Sequence, residues 1–275
     1  MQIIAIANQK GGVGKTTTTA SLATELAILG HRTLIIDADP QANATRFFLT
    51  PDAVTTCLSN VLLSNVQHKP SSIRDERLTT VIEGLDIIPA TISLAKFERE
   101  PAVAMKALRS ALREVSNDYE FVLVDTPPNF GLLLSAALMA ANYVLIPAQA
   151  APFALAGLND LLQVINDIRD LNENLKVLGA VCTLYDARTR ISKLSLNKLQ
   201  DLSREIGLHI FETIINKDTK LEASSDSNKP IQLYEPASRG AEEYSKLAVE
   251  MLELLNIELK GHGLQLVKEK KVNNG

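Results

Sequence analysis

Apolar runs alternate along the chain with segments whose apolar residues recur at helical spacing. An unbroken run of β-branched residues and leucines predicts a strand that is buried on both faces. The predicted strands cover residues 3–7, 32–37, 85–89, 121–125, 143–147 and 177–184, with a last strand near 214–215. Helical spacing appears in 18–29, 93–115, 154–171, the segment after 190 and a final helix ending near 255. This alternation predicts an α/β fold, a doubly wound, mostly parallel sheet flanked by helices.

Length and composition are those of an ordinary globular protein. The chain has 275 residues, of which 46% are hydrophobic and 22% charged, so it is long enough to bury a large core. We assign residues 1–258 to one domain and expect 259–275, which is polar and basic, to form a flexible C-terminal tail. In 93–115, Pro101 is compatible with a helix only near its first turn.

Charge and cysteine content narrow the possible functions. The net charge of −4 provides no general attraction to nucleic acid, so DNA binding would need a local basic patch. Cys57 and Cys182 lie far apart without metal-type spacing and are expected to be buried thiols in a reducing compartment. No apolar run reaches the length of a membrane span. We therefore expect a cytoplasmic protein.

A glycine-rich stretch, Asn-Gln-Lys-Gly-Gly-Val-Gly-Lys-Thr-Thr at residues 8–17, lies between the first strand and the first helix. Its glycines let successive backbone N–H groups converge on one anion, and the N-terminus of the helix adds positive potential. Lys15 can reach the terminal phosphates of a nucleotide, and the Thr16 hydroxyl can ligate Mg²⁺. Alternatively, Lys10 is a solvated loop lysine and the glycines only form a turn. The predicted nucleotide-binding residues are Lys10, Gly11, Gly12, Val13, Gly14, Lys15, Thr16 and Thr17.

Three aspartates follow predicted strands and are candidates for metal or water binding. Asp37 and Asp39 come at the end of the second strand, and Asp125 ends the strand that begins at residue 121. The carboxyl ends of parallel strands meet at the edge of the sheet where ligands bind. An aspartate there can hold Mg²⁺, often through a water molecule. The alternative for residues 39–40, Asp-Pro, is that they only end a strand and begin a turn.

The string Lys-Gly-Gly-Val-Gly-Lys-Thr resembles the deviant Walker A loop of the ParA/MinD family of P-loop NTPases. Gln9 stands where the common P-loop pattern has glycine, and Lys10 is the additional lysine. The resemblance extends from Ile3 to about Leu255 and implies an ATPase that uses ATP and Mg²⁺. It also implies that Lys10 reaches across a homodimer to the partner's nucleotide. Asp39 would position the attacking water, while Asp37 helps to organise the Mg²⁺ shell.

The implied catalytic residues are Lys10, Lys15 and Asp39, and the implied metal residues are Thr16, Asp37 and Asp125. Asp125 would end a Walker B strand. Residues 126–131, Thr-Pro-Pro-Asn-Phe-Gly, resemble the second switch of the family, a loop that senses the γ-phosphate. Because the glycine loop starts at residue 8, we expect no N-terminal operator-binding domain and a compact, chromosomal-type member.

A second resemblance concerns DNA. Residues 186–189, Asp-Ala-Arg-Thr, resemble the segment of chromosomal-type ParA proteins whose arginine, here Arg188, contacts DNA without sequence preference. Arg190, Lys217 and Lys220 complete the predicted DNA patch, although Ile215-Asn216-Lys217 departs from the Ile-Pro-Arg-Asn common in those proteins. From charge alone, a solvated surface is the better interpretation of these residues.

The resemblance implies a partition ATPase that dimerises with ATP and drives DNA segregation or cargo positioning on the nucleoid. Hydrolysis would be weak until a ParB-type centromere-binding partner stimulates it. An alternative is a MinD-like ATPase that acts at the membrane surface through the basic tail, but the apolar face of that tail is short and interrupted by glycines. A metabolic P-loop enzyme such as an iron–sulfur reductase is disfavoured because the two cysteines lack the spacing of cluster ligands.

Overall fold

A computed structural model describes residues 1–67, 71–149 and 154–260, without the side chains of 65–67 and 154–156. The strands are β1 (Gln2–Ile6), β2 (Thr33–Asp37), β3 (Leu78–Thr79), β4 (Leu85–Ile88), β5 (Phe121–Asp125), β6 (Tyr143–Gln149) and β7 (Lys176–Thr183). The α-helices are α1 (Lys15–Ile28), α2 (Asn43–Phe48), α3 (Leu58–Gln67), α4 (Ala107–Leu112), α5 (Leu132–Ala140), α6 (Ala154–Arg169), α7 (Arg190–Ile206), α8 (Thr219–Asp226), α9 (Ile231–Tyr234) and α10 (Arg239–Leu254).

The strands form one sheet in the order β3-β4-β2-β5-β1-β6-β7. All its pairings are parallel except the short one between β3 and β4. The chain continues from β1 to β2 on one side, whereas β6 pairs with β1 on the other side, so the winding direction changes at β1. In open α/β sheets such a point, at the carboxyl ends of the strands, is where ligands bind.

Helices cover both faces of the sheet and create two apolar clusters. Alternate residues of β1 show the division: Ile3 and Ala5 belong to one cluster, and Ile4 and Ile6 to the other. The first cluster includes apolar residues of α3, α4, α5 and α6, and the second those of α1 and α10. The predicted α/β fold with a mostly parallel sheet is confirmed. Cys57 and Cys182 are both buried and unpaired, as expected.

The helical spacing of 93–115 corresponds to several short helical turns and not to one helix. The chain forms short 3₁₀ turns at Ile92–Arg99, Ala102–Lys106 and Arg113–Val115, and only Ala107–Leu112 is α-helical. Glu100 and Pro101 have extended ψ angles of 158° and 150° and separate the first two turns. Proline lacks an N–H group and restricts the residue before it, so the helical hydrogen bonds cannot continue through this point.

The last predicted strand, near 214–215, is wrong. This stretch makes two isolated bridges, between Ala180 and Ile210 and between Tyr185 and Asn216, and α8 begins at Thr219. Several of its backbone N–H groups are bound by carboxylates of α10: Glu250 accepts from residues 212 and 213, and Glu243 accepts from Asn216. These carboxylates satisfy N–H groups that do not donate to β7, whereas the N–H groups of Phe211 and Ile215 do donate to β7.

The C-terminal part of the described chain packs against the domain. Leu259 lies against the α1 and α10 cluster, and the Lys260 ammonium contacts the Glu120 carboxylate. Residues 261–275, which include most of the predicted tail, lie outside the described residues, so the boundary at 258 stays a prediction. Within the described ranges, no helix has both the length and the apolar character that a bilayer crossing requires.

Candidate nucleotide-binding site

The glycine loop connects the carboxyl end of β1 to the first turn of α1. Gly12 and Gly14 have φ angles of 72° and 86°, in the left-handed region that glycine adopts without strain. Below the loop, the Thr183 hydroxyl donates to the Val13 carbonyl at 2.8 Å and fastens the loop to the end of β7. Helix α1 starts at Lys15 without a side-chain cap, so the N–H groups of its first turn are available to an anion.

Lys15 lies inside this loop with only 7% of its surface exposed. Its Nζ lies 3.4 Å from the Lys10 carbonyl oxygen. Burial lowers the pKa of the Lys15 ammonium, while the nearby Asp125 and Asp39 carboxylates act in the opposite direction. The ammonium is therefore held among backbone groups at the start of α1, where it can meet a bound phosphate.

Lys10 is held on the other side of the loop by its own chain. Its Nζ donates to Gln149 Oε1 at 2.9 Å, and its N–H donates to Asn8 Oδ1 at 3.0 Å. Asn8 in turn donates from Nδ2 to the Pro147 carbonyl at 2.7 Å. The partner of the Lys10 ammonium is thus a neutral amide at the end of β6. Nothing in the sequence separates Gln149 from other polar residues that follow an apolar run.

Asp37 and Asp125 lie side by side because they are register partners at the ends of β2 and β5. Both side chains are fully buried. Asp125 accepts from the Thr16 hydroxyl at 2.8 Å and from the Thr19 hydroxyl at 3.1 Å. Burial raises the pKa of both carboxyl groups, and the closeness of Asp37 raises that of Asp125 further. A cation beside this pair would offset the cost of two buried negative charges.

The oxygen atoms of these side chains are suitable ligands for Mg²⁺. The hydroxyl of Thr16 and the carboxylates of Asp125 and Asp37 are hard oxygen ligands, which Mg²⁺ prefers. No group of three or more His, Cys, Asp or Glu side chains able to hold a metal ion occurs in the described ranges. Mg²⁺ is usually held by one or two carboxylates together with substrate phosphates. The metal assignment of Thr16, Asp37 and Asp125 stays a prediction that this arrangement supports.

Asp39 lies just beyond β2, in a tight turn. Its N–H donates to Asp37 Oδ1 at 3.1 Å, and its Oδ1 accepts from the Gln41 N–H at 2.9 Å. The carboxylate is 7% exposed. Strand β2 ends at Asp37, so Asp39 is placed by this turn and not by strand alternation. The structure thus brings together the loop lysines, Thr16 and all three aspartates.

Two side chains outside the motifs hold the loops of the site. The Thr45 hydroxyl donates to Asp37, and the Glu98 carboxylate accepts from the N–H groups of Leu132 and Leu133, at the start of α5. Thr126, at the other end of the 126–131 loop, donates to the Ile6 carbonyl at 2.8 Å. Sequence reasoning missed Thr45 and Glu98, since neither has a local pattern that indicates its partner.

The predicted DNA residues lie on two neighbouring segments: Arg188 and Lys217 are in loops, Arg190 begins α7, and Lys220 is in the first turn of α8. The N–H of Lys217 donates to the Tyr185 carbonyl at 2.8 Å, so the 185–190 segment runs beside the one that leads into α8. Arg188 is 87% exposed and makes a bidentate pair with Asp186, which lowers the pKa of that carboxyl group to about 2. Lys217 pairs with Glu222 and Lys220 with Glu235. DNA binding by these residues stays a prediction.

A glycine loop that leads from a central parallel strand into a helix, with an extra lysine upstream, defines the deviant Walker A class of P-loop ATPases. Comparison with known proteins supports this class and narrows it. The chain matches the protein family described as AAA domain over residues 1–177. It is 39% identical to the sporulation initiation inhibitor protein Soj of Bacillus subtilis over 255 residues, 91% of this chain and 98% of that protein.

Two further proteins are similar to this chain, one in sequence and one in structure. The chromosome partitioning protein ParA of Caulobacter vibrioides is 36% identical over 259 residues, 92% of this chain and 94% of that one. Cobyrinic acid a,c-diamide synthase from Mycobacterium smegmatis, solved with an ATP analog and magnesium, superposes with a TM-score of 0.78 and 32% identity over 93% of this chain and 96% of that chain. The chain belongs to the Soj/ParA family of partition ATPases, and its enzyme class is ATP hydrolase. The resemblance stated from the sequence is confirmed.

Proposed function

We propose that this partition ATPase is a switch that forms a dimer when it binds ATP. The dimer binds DNA without sequence preference, and ATP hydrolysis separates the subunits and releases the DNA. The observation that carries the proposal is the presence of two lysines, Lys10 and Lys15, on one phosphate loop beside three buried carboxylates. Lys15 is buried in the loop of its own chain. Lys10 is half-buried and has no carboxylate partner within the described part of the chain.

In the proposed dimer, Lys10 leaves Gln149 and extends to the nucleotide of the facing subunit. The hydrogen bond to Gln149 involves a neutral amide, so a phosphate is the stronger partner for the ammonium. Each subunit would then contribute positive charge to the other's site, which makes ATP part of the interface. ADP has one phosphate fewer and would hold the two chains less tightly.

Hydrolysis in this proposal depends on positioning and charge neutralisation, since phosphoryl transfer needs little covalent chemistry from the protein. Asp39 orients the attacking water, and Lys15 with the partner's Lys10 neutralises charge on the transferred phosphoryl group. Thr16, Asp125 and Asp37 would hold Mg²⁺, which stabilises the phosphate charge. A ParB-type centromere-binding protein would accelerate the reaction.

Dimerisation also explains how an acidic protein can bind DNA. Closing two subunits places Arg188, Arg190, Lys217 and Lys220 of each on one surface, and two linked patches bind far more tightly than one. Affinity for DNA phosphates falls steeply with salt because counterions are released on binding. This cycle on nucleoid DNA in the cytoplasm would segregate DNA or position cargo.

The test compares the wild-type protein with a non-hydrolysable ATP analogue, with ADP and without nucleotide, each with Mg²⁺. Light scattering measures the oligomeric state, and filter binding measures retention of a random-sequence duplex. We expect a dimer with the analogue but not with ADP or without nucleotide. The DNA affinity with the analogue should be at least about tenfold higher than under the other two conditions. That affinity should fall between about 50 and 200 mM salt. A monomer under saturating analogue, or binding to anionic vesicles in place of DNA, would overturn the proposal.

A further inference from the structure

The hydroxyl group of Thr45, in α2, joins three parts of the nucleotide site. It donates to Asp37 Oδ2 at 2.7 Å and accepts from the backbone N–H of Ala90 at 2.9 Å. The backbone N–H of Thr45 donates to the same Asp37 oxygen, also at 2.7 Å. Thr45 is only 3% exposed, so water does not compete for these bonds. One hydroxyl group therefore connects α2 with the end of β2 and with the chain that leaves β4.

The loop that carries Asp39 is closed onto Asp37 from both of its ends. At the start, the Asp39 N–H donates to Asp37 Oδ1 at 3.1 Å, and at the end Thr45 donates to Oδ2. Between them, the Ala42 N–H donates to the Asp39 carbonyl at 2.8 Å, and Ala42 has a φ angle of 55°. A short loop held at both ends by one buried carboxylate has few alternative conformations, so its anchors determine the direction of the Asp39 carboxylate.

The chemistry of these bonds requires a hydroxyl group at residue 45. The group donates on one side and accepts on the other, which serine also does and valine, of the same shape as threonine, does not. Without it, the Ala90 N–H and one Asp37 oxygen each lose a buried partner, and the structure must relax to satisfy them. That relaxation would shift the 39–45 loop, while the glycine loop that binds phosphate has no direct bond to Thr45.

We infer that Thr45 is a positioning residue for ATP hydrolysis, whose hydroxyl group holds Asp37 and the 39–45 loop so that Asp39 faces the attacking water. The inference rests on the proposed role of Asp39. It assigns Thr45 no contact with substrate. Its effect should therefore appear in the rate of the bound complex and not in nucleotide affinity.

The test measures single-turnover ATP hydrolysis and nucleotide affinity for Thr45→Val and Thr45→Ser. Thr24→Val is the matched control, because Thr24 is also fully buried but donates only to the Ala20 carbonyl within its own helix, at 2.8 Å. We expect Thr45→Val to lower kcat between about tenfold and 100-fold, since small misplacements of a reacting group have effects of this size. Its KM for ATP should stay within about twofold, and Thr45→Ser should restore most of the rate. Thr45→Ala is measured in parallel as a variant that removes the hydroxyl group without the branched carbon.

Two results would overturn the inference. One is a turnover of the valine and alanine variants equal to that of Thr24→Val. The other is a parallel loss of nucleotide affinity and turnover that serine does not restore, which would indicate general damage to the fold. Asp39→Ala separates this inference from the proposed function. If Asp39→Ala stays active, the proposed role of Asp39 fails; if it is inactive while Thr45→Val is fully active, only the role of Thr45 fails.

Discussion

Glu98 caps a helix that lies far from it in the chain, and the loss of this cap can be predicted as a change in the free energy of unfolding. Its Oε2 accepts from the Leu132 N–H at 2.6 Å and its Oε1 from the Leu133 N–H at 3.2 Å, at the start of α5. The residue in the N-cap position, Gly131, has no side chain to do this. A Cβ atom at Gly131 would lie closer than 3.0 Å to the carboxylate carbon and both oxygens of Glu98. The glycine thus makes room for a cap supplied from another segment.

We expect Glu98→Ala to lower the free energy of unfolding by about 1–2 kcal/mol, the combined value of an N-cap and of a negative charge at a helix N-terminus. Gly131→Ala should cost nearly as much. Its φ of −113° and ψ of −170° suit alanine, but the new methyl group displaces the Glu98 carboxylate and removes the same two hydrogen bonds. The double variant should therefore cost about as much as either single one, so the coupling energy equals one single cost, about 1–2 kcal/mol.

Guanidinium unfolding of the nucleotide-free protein, followed by far-UV circular dichroism, measures these free energies. Glu100→Ala is the control, because the Glu100 side chain has no hydrogen bond or ion pair within the described part of the chain. It should unfold like the wild type, to within about 0.5 kcal/mol. Additive costs for Glu98→Ala and Gly131→Ala, or no cost for Gly131→Ala, would refute the capping argument.

Three further predictions follow from the proposed function. Lys10→Ala should bind nucleotide as a monomer but weaken ATP-dependent dimerisation about tenfold or more, measured by light scattering, because a charged hydrogen-bond donor to phosphate is lost; a normal dimer would contradict the role across the interface. Asp39→Ala should accumulate as an ATP-bound dimer that retains DNA, and undiminished hydrolysis would remove Asp39 from the mechanism. Arg188→Glu should abolish DNA retention without changing dimerisation. Arg204→Glu, which reverses the charge of another exposed, ion-paired arginine, should retain DNA, and equal losses in both variants would place the patch elsewhere.

Features formed by residues that are consecutive in the chain could be predicted from the sequence. The glycine loop, the strand before it and the helix after it are consecutive in the chain, so their order alone indicates a phosphate site. The buried strands appear as unbroken apolar runs because both faces of the sheet are covered. The same runs show that Asp37 and Asp125 end strands, since a carboxylate interrupts each of them.

Contacts between distant segments were decided only by the tertiary structure. Asp37 lies beside Asp125 because β2 pairs with β5, and no local pattern specifies which strands become neighbours. The partners of Lys10 and Thr45 depend on the same packing. Where distant groups bind the backbone, local prediction was wrong: the carboxylates of α10 accept from the N–H groups of residues 212, 213 and 216, and this stretch forms isolated bridges instead of a regular strand. Local propensity is a weak preference, and hydrogen bonds and packing formed across the sheet override it.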